Sequence, residues 1–220
     1  MDAQSIVDEV SKQLNDVSQI TWTLPSLFEY IDSAQQMIVS IRPDANSVIE
    51  TMQMVVGTKQ SIPAAALRLL EIKRNMGTNG LVAGSSVVAC DHESLDLFSS
   101  NWHAAAGVEA VDNFAYDEKT PKTFYVDPPS DGTGYLEIAT SQVPTLITAV
   151  GNTLDLDDIY KNAVIQWCMF RAYSIEVDSR SSAQRAAGHE QSFYQMMGKK
   201  FSRDVQFSPS EEVKNADNVG

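Results

Sequence analysis

Apolar positions recur at helical spacing at both ends of the chain and lose that spacing in the middle. Ile6, Val7, Val10 and Leu14 mark a short first helix, with Ser5 placed to cap it and Glu9 on its first turns. Leu24, Leu27, Phe28, Ile31, Ala34, Ile38 and Ile41 keep one stripe through five turns. That stripe predicts a helix over 25–40, with Pro25 tolerated in its first turn and Pro43 stopping it.

From Ser47 the texture turns β-rich. "VIETMQMVV" ends at Gly57 and reads as a strand. "LRLLEIKRNMG" satisfies both templates, and we read it as a strand. The glycine-rich "GTNGLVAG" predicts a turn leading into a further strand, "SSVVAC". In "TPKTFYVDPPSDGTGYLEIATSQVP" two runs of Tyr, Phe, Val, Ile and Thr flank Pro, Asp and Gly, which predicts a β-hairpin reversing at Asp131–Gly132. Its prolines, Pro121, Pro128 and Pro129, are barred from central hydrogen-bonded positions.

Helical spacing returns with Leu156, Ile159, Tyr160, Ala163, Trp167, Phe170 and Ser174, behind the acidic start Asp155, Asp157 and Asp158. A second segment over 182–203 carries Ala186, Ala187, Glu190, Phe193, Tyr194, Met197 and Phe201. The short polar link "DSRSS" predicts an antiparallel αα-hairpin. The fold class is therefore α+β: N-terminal helices (1–44), a β-rich region (45–150), a C-terminal helical hairpin packing with the N-terminal helices (151–203) and a tail (204–220) that a partner would order. A sandwich, a barrel and a single sheet are all compatible with the middle pattern.

A chain of 220 residues, 43% hydrophobic, buries a sizeable core. Its net charge of −13 argues against a broadly basic nucleic-acid-binding surface. Cys90 and Cys168 are too few for a disulfide framework or a structural zinc site, which favours folding in a reducing compartment. No secretory signal and no membrane-length apolar run is present, so a soluble product is expected. Charge is uneven: residues 90–138 hold ten acids against two lysines, residues 159–203 seven bases against three acids. Such polarity suits head-to-tail contact between copies, as well as plain solvation.

Candidate chemistry is sparse. Cys90, Asp91, His92 and Glu93 gather reactive side chains, but as consecutive strand residues they would alternate faces and not converge. A small hydrolase or metal enzyme centred there is the weakest of the readings. His103 and His189 have no second His or Cys at ligand spacing. The glycines after Met76 lack the Gly-Lys-Ser/Thr ending of a phosphate-cradling loop, and Gly-x-Ser-x-Gly is absent. Most of Trp22, Trp102, Trp167 and the pairs Phe124–Tyr125 and Phe193–Tyr194 lack the interleaved bases of a stacking platform, so core or subunit packing is the simpler reading. No cofactor is implied.

The order of "WTLPSLFEYIDSAQQMIVSIRPDAN", "VVGTKQSIPAAALRLLEIKRNMGTNG", "DHESLDLFSSNWH", "TPKTFYVDPP" and "RAYSIEVDS" before "FYQMMGKKF" resembles the adaptor proteins of the head-to-tail connector of tailed bacteriophages. The most specific stretches are Gly57–Pro63, Arg74–Gly77, the Leu-Asp pair before Trp102, and Pro121–Pro129. The resemblance implies a non-enzymatic virion component, assembled in the host cytoplasm, in which many copies, commonly twelve, form a ring beneath the portal. Such a ring extends the DNA channel, passes the genome without sequence-specific binding and receives the tail or nozzle proteins; no membrane is involved. A stopper or a tail terminator is the alternative place in the same assembly. By the same resemblance, portal contact falls to the basic hairpin and tail, with Arg180, Arg185, Lys199, Lys200, Arg203 and Phe207 as interface candidates. Tail or neighbour contact falls to the β region, with Pro121, Phe124, Tyr125, Pro128 and Pro129.

Overall fold

The computed structural model describes residues 1–98, 100–175 and 180–207; for Arg180 and residues 199–207 it describes the backbone. Two compact units emerge: one from Met1–Ile41 with the described residues from Pro144 onward, the other from Arg42–Val143. Together they make the mixed α+β class expected from the pattern.

The first unit is helical. Helix α1 spans Ala3–Gln13 and α2 spans Leu24–Ile41. The cap of α1 is Asp2 and not Ser5: the Asp2 carboxylate accepts the Ser5 amide at 2.7 Å, because Ser5 already lies inside the first turn. Ile6, Val7 and Val10 are buried as the spacing requires, but Ile41, at the end of the α2 stripe, is exposed. Between these helices Asp16 accepts the amides of Ile20, Thr21 and Trp22, which holds its carboxyl below the ordinary range.

Helices α4 (Lys161–Ile175) and α5 (Arg180–Phe207) form the expected pair. They run antiparallel, since Trp167 meets Phe193 at 4.8 Å while Tyr173, further along α4, stacks on His189 at 5.6 Å. The continuation of α5 to Phe207 adds four residues of helix to a segment expected to belong to the tail. Helix α4 was expected to bury one face. It instead buries Ala163, Val164, Ile165, Trp167, Cys168, Met169 and Ala172, because it contacts α1, α2 and α5 at once. Ile159 and Ser174, assigned to the buried stripe, are exposed, as are Ala187 and Tyr194 on α5. Buried Gln35 on α2 donates to the Thr145 carbonyl and accepts the Asp155 amide, and Asp32 accepts the Ile147 amide; these bonds fasten the segment before α4.

The second unit holds seven strands among the described residues: β1 Ser47–Gln53, β2 Gly57–Ser61, β3 Ala66–Asn75, β4 Val88–Ala89, β5 Asn113–Tyr116, β6 Thr123–Ser130 and β7 Tyr135–Gln142. Helix α3 spans His92–Phe98. "LRLLEIKRN" is indeed a strand, whereas the strand expected in "SSVVAC" shrinks to two residues and "VIETMQMVV" stays paired only to Gln53. The strands form two sheets, β1-β7-β3 and β2-β6-β5-β4. Leu69, Ile72, Leu136 and Ile138 of the first share one core with Phe114, Phe124 and Val126 of the second. The β region is thus a pair of packed sheets.

The expected hairpin is corrected by this topology. β6 pairs with β2 and β5, while β7 pairs with β1 and β3, so the strands flanking the turn enter different sheets. Asp131–Gly134 therefore carries the chain from one sheet to the other. The turn chemistry was legible, with Gly132 at φ +86 and Thr133 donating its amide to the Asp131 carboxylate at 2.8 Å. What pulls the strands apart is pairing elsewhere: the Pro129 carbonyl accepts the Val108 amide and Asp131 donates to the Val108 carbonyl. A Cβ on Gly134 would stand 1.9 Å from the Glu109 carbonyl oxygen. Gly134→Ala is expected to cost about 1 to 3 kcal/mol or more through backbone displacement, read as a lowered urea midpoint.

Candidate functional site

The reactive cluster predicted at Cys90–Glu93 is not a run of strand residues. Cys90 follows β4 and donates its amide to Phe114, and His92 opens α3. The corrected placement turns His92 toward Trp102 and Tyr125, with ring centroids 5.6 and 5.3 Å away, both edge-on. His103 stacks on Trp102 at 3.8 Å, and its Nδ1 lies 2.8 Å from Thr58 Oγ1 on β2. Trp102 donates its indole N–H to Asp96 at 2.9 Å, which, with His92 close by, holds the Asp96 carboxyl low.

These contacts fasten α3, the Trp102 segment, β2 and β6 to one another. Burial, then the charges of Asp127 and Asp91, push the Cys90 thiol up, away from the thiolate a nucleophile needs. Among the described residues, no group of three His, Cys, Asp or Glu is placed to hold a metal ion. Beside the aromatic cluster lies a cleft of about 840 Å³ lined by Asp91, Glu93, Asp117, Glu118, Lys119 and Tyr125, among others. Four carboxylates, His92 and Lys119 share its wall.

The interface candidates divide sharply. Phe124 is fully buried in the sheet core and Pro129, five residues on in β6, is buried as well, so in the single chain neither offers a side chain to a partner. Their strand needs apolar residues facing the opposite sheet, and composition alone did not separate that need from a contact. Tyr125 and Pro128 are half-buried, with Tyr125 engaged in the aromatic cluster, and Pro121 is exposed. Arg185 is exposed and lies over the Tyr173 ring at 5.6 Å. Arg180, Lys199, Lys200, Arg203 and Phe207 all fall on α5, and their side chains lie outside the described residues, as do residues 208–220.

Residues that sequence reasoning quoted without a role turn out to be clamps. Gln60 is fully buried, accepts the Val55 amide and donates to the carbonyls of Val55 and Gly57, so it fixes the loop from β1 to β2. Asn75 donates to the Val111 carbonyl at 2.8 Å and accepts the Val111 amide at 3.0 Å, tying β3 to the segment before β5. Leu95 is buried, and Asp96 holds Trp102. The signal for Gln60 and Asn75 was a polar residue inside an otherwise apolar or glycine-marked stretch. Asn75→Ala would leave both Val111 groups without those bonds, with an expected loss of at least about 2 kcal/mol. Equilibrium denaturation, with amide exchange at Val111, reads that loss.

Two of the distinctive stretches, Gly57–Pro63 and Arg74–Gly77, thus place internal clamps, Gln60 and Asn75, in a mixed α+β protein. The family model described as SU10 adaptor protein matches residues 1–212, and the chain belongs to that family, the structural adaptors of the phage head-to-tail connector. No curated protein matches the chain. Among the described residues, no helix is long and apolar enough to cross a membrane.

Proposed function

We propose that the chain is the ring-forming adaptor beneath the portal of a tailed phage. In this reading it acts in the virion, without catalysis, and is assembled in the host cytoplasm. Many copies, commonly twelve in such connectors, extend the DNA channel and offer the surface on which tail or nozzle proteins are built. The observation that carries the reading is family membership over nearly the whole chain, with the clamps at Gln60, Asn75, Asp96 and Trp102 all devoted to shape.

The physical chemistry agrees with that role. The chain is strongly acidic, and an acidic lumen repels phosphates, which favours passage of DNA over retention. The net positive charge of residues 159–203 contrasts with the acidic 90–138 and orients copies head to tail. Portal contact is assigned to α5 and the residues after it, and tail or neighbour contact to the β unit. Cryo-electron microscopy of the connector tests this. A ring in direct contact with the portal is expected; density only at the far end of the connector or along the tail would make the chain a stopper or terminator.

A further inference from the structure

Four strands stand at sheet edges among the described residues, and three are protected against pairing. β2 has five residues and a register shift after Gly57; β4 has two residues. β3 is broken by three register shifts and carries Arg68, Glu71, Lys73 and Arg74. Bulges, charge and shortness are the ordinary means by which proteins blunt an edge. β1 has neither bulge nor shortness: seven residues in unbroken register with β7, without proline, lysine or arginine, and its one charged residue, Glu50, accepts from Thr140 and Gln142 on β7.

The direction of its free backbone groups follows from the ladder. Met54 donates its amide to Gly134, and hydrogen-bonded pairs alternate along an antiparallel ladder. Glu50 and Met52 therefore face β7 with their backbone groups, while Ile49, Thr51 and Gln53 turn theirs to the open edge. Exposed aliphatic side chains follow the same edge. Ile49 is 61% exposed on β1, and Val55 and Val56 follow directly, with Val56 at 77%. Leu81, 82% exposed, adjoins Gly80, where an added Cβ would stand 3.1 Å from Thr51 Cγ2. With Val48 on the opposite face of the strand and Val82 next to Leu81 in sequence, these residues expose roughly 600 Å² in total. Adding the edge backbone approaches the roughly 800 Å² per partner of a stable interface.

We propose that the free edge of β1 is a strand-docking site for a second copy of this chain, which adds an extended segment along Ile49, Thr51 and Gln53 and covers the aliphatic rim. This rests on the reading of the chain as a ring subunit, and it names the contact that reading leaves open. A closed ring of identical copies satisfies every such edge at once, with no additional partner, because each copy both offers and fills one.

Hydrogen exchange of the full-length chain, free and assembled on portal rings, tests the proposal together with a benzophenone photo-crosslinker placed at Ile49. The amides of Ile49, Thr51 and Gln53 are expected to exchange at least about tenfold more slowly in the ring, and the crosslink to join chain to chain. Thr51→Pro, which removes an outward N–H and leaves the β7 ladder intact, and Ile49→Lys, which places a charge in the rim, should both stay folded and fail to close rings. Rings that form with those amides unprotected, or that both variants form as the parent does, overturn the docking site and leave the ring reading standing. A crosslink running to the portal instead overturns the second copy as occupant. Absence of any ring on the portal removes both.

Discussion

Replacing Trp167 by alanine is expected to destabilise the helical unit by about 3 to 5 kcal/mol. The residue is buried at the meeting point of that unit, 4.8 Å from Phe193 on α5 and 5.1 Å from Phe170, and its indole donates to Ser33 on α2 at 3.0 Å. Truncation opens a cavity between three helices and leaves Ser33 without that donor. Phe170→Ala, at a half-buried position one turn on, should cost clearly less, although both residues lie on the same predicted stripe. Urea denaturation followed by amide exchange in α4 and α5 separates the two variants. An unchanged midpoint for Trp167→Ala would mean that this ring packs nothing in the single chain.

Deleting the residues after Arg203 is expected to abolish joining to portal rings while leaving the fold intact. The fold should survive because the buried anchors of α5, Ser182, Ala186, Phe193 and Met197, all precede the cut. Four helical residues, 204–207, go with the tail, so a second chain ending at Phe207 separates the helix end from residues 208–220. Gradient sedimentation with purified portal reads the result; undiminished binding by the shorter chain would move the portal contact elsewhere on the molecule.

The helices were legible because long amphipathic patterns report burial directly. Leu27, Ile31, Ala34 and Ile38 sit inside as their spacing demands. α4 was legible in position but not in environment: a helix packed on several sides has no single stripe, and the residues flanking Trp167 were assigned to one. In the β unit, turn chemistry located Asp131–Gly132 correctly, yet pairing was hidden. A strand's partner is set by contacts distant in sequence, such as Ile49 with Ala139 and Leu69 with Thr140, and no local pattern carries them.

The candidate site shows the same division. Cys90–Glu93 stood out by residue type, but its helical start and its union with Trp102, His103, Tyr125 and Thr58 depend on three separate segments. Phe124 illustrates the converse, since an aromatic residue in a conspicuous motif is fully buried in the sheet core of the single chain. Gln60 and Asn75 were visible as letters inside the stretches that carried the family resemblance, and only their hydrogen bonds show that those stretches are clamps.

Joining a portal to a tail is the role proposed for this chain. Co-sedimentation of the purified chain with the portal of the same phage addresses it most directly. The account predicts a saturable complex with a fixed number of copies per portal ring, lost when the residues after Arg203 are removed. A chain that stays at the top of the gradient at every portal concentration, folded and intact, would contradict it.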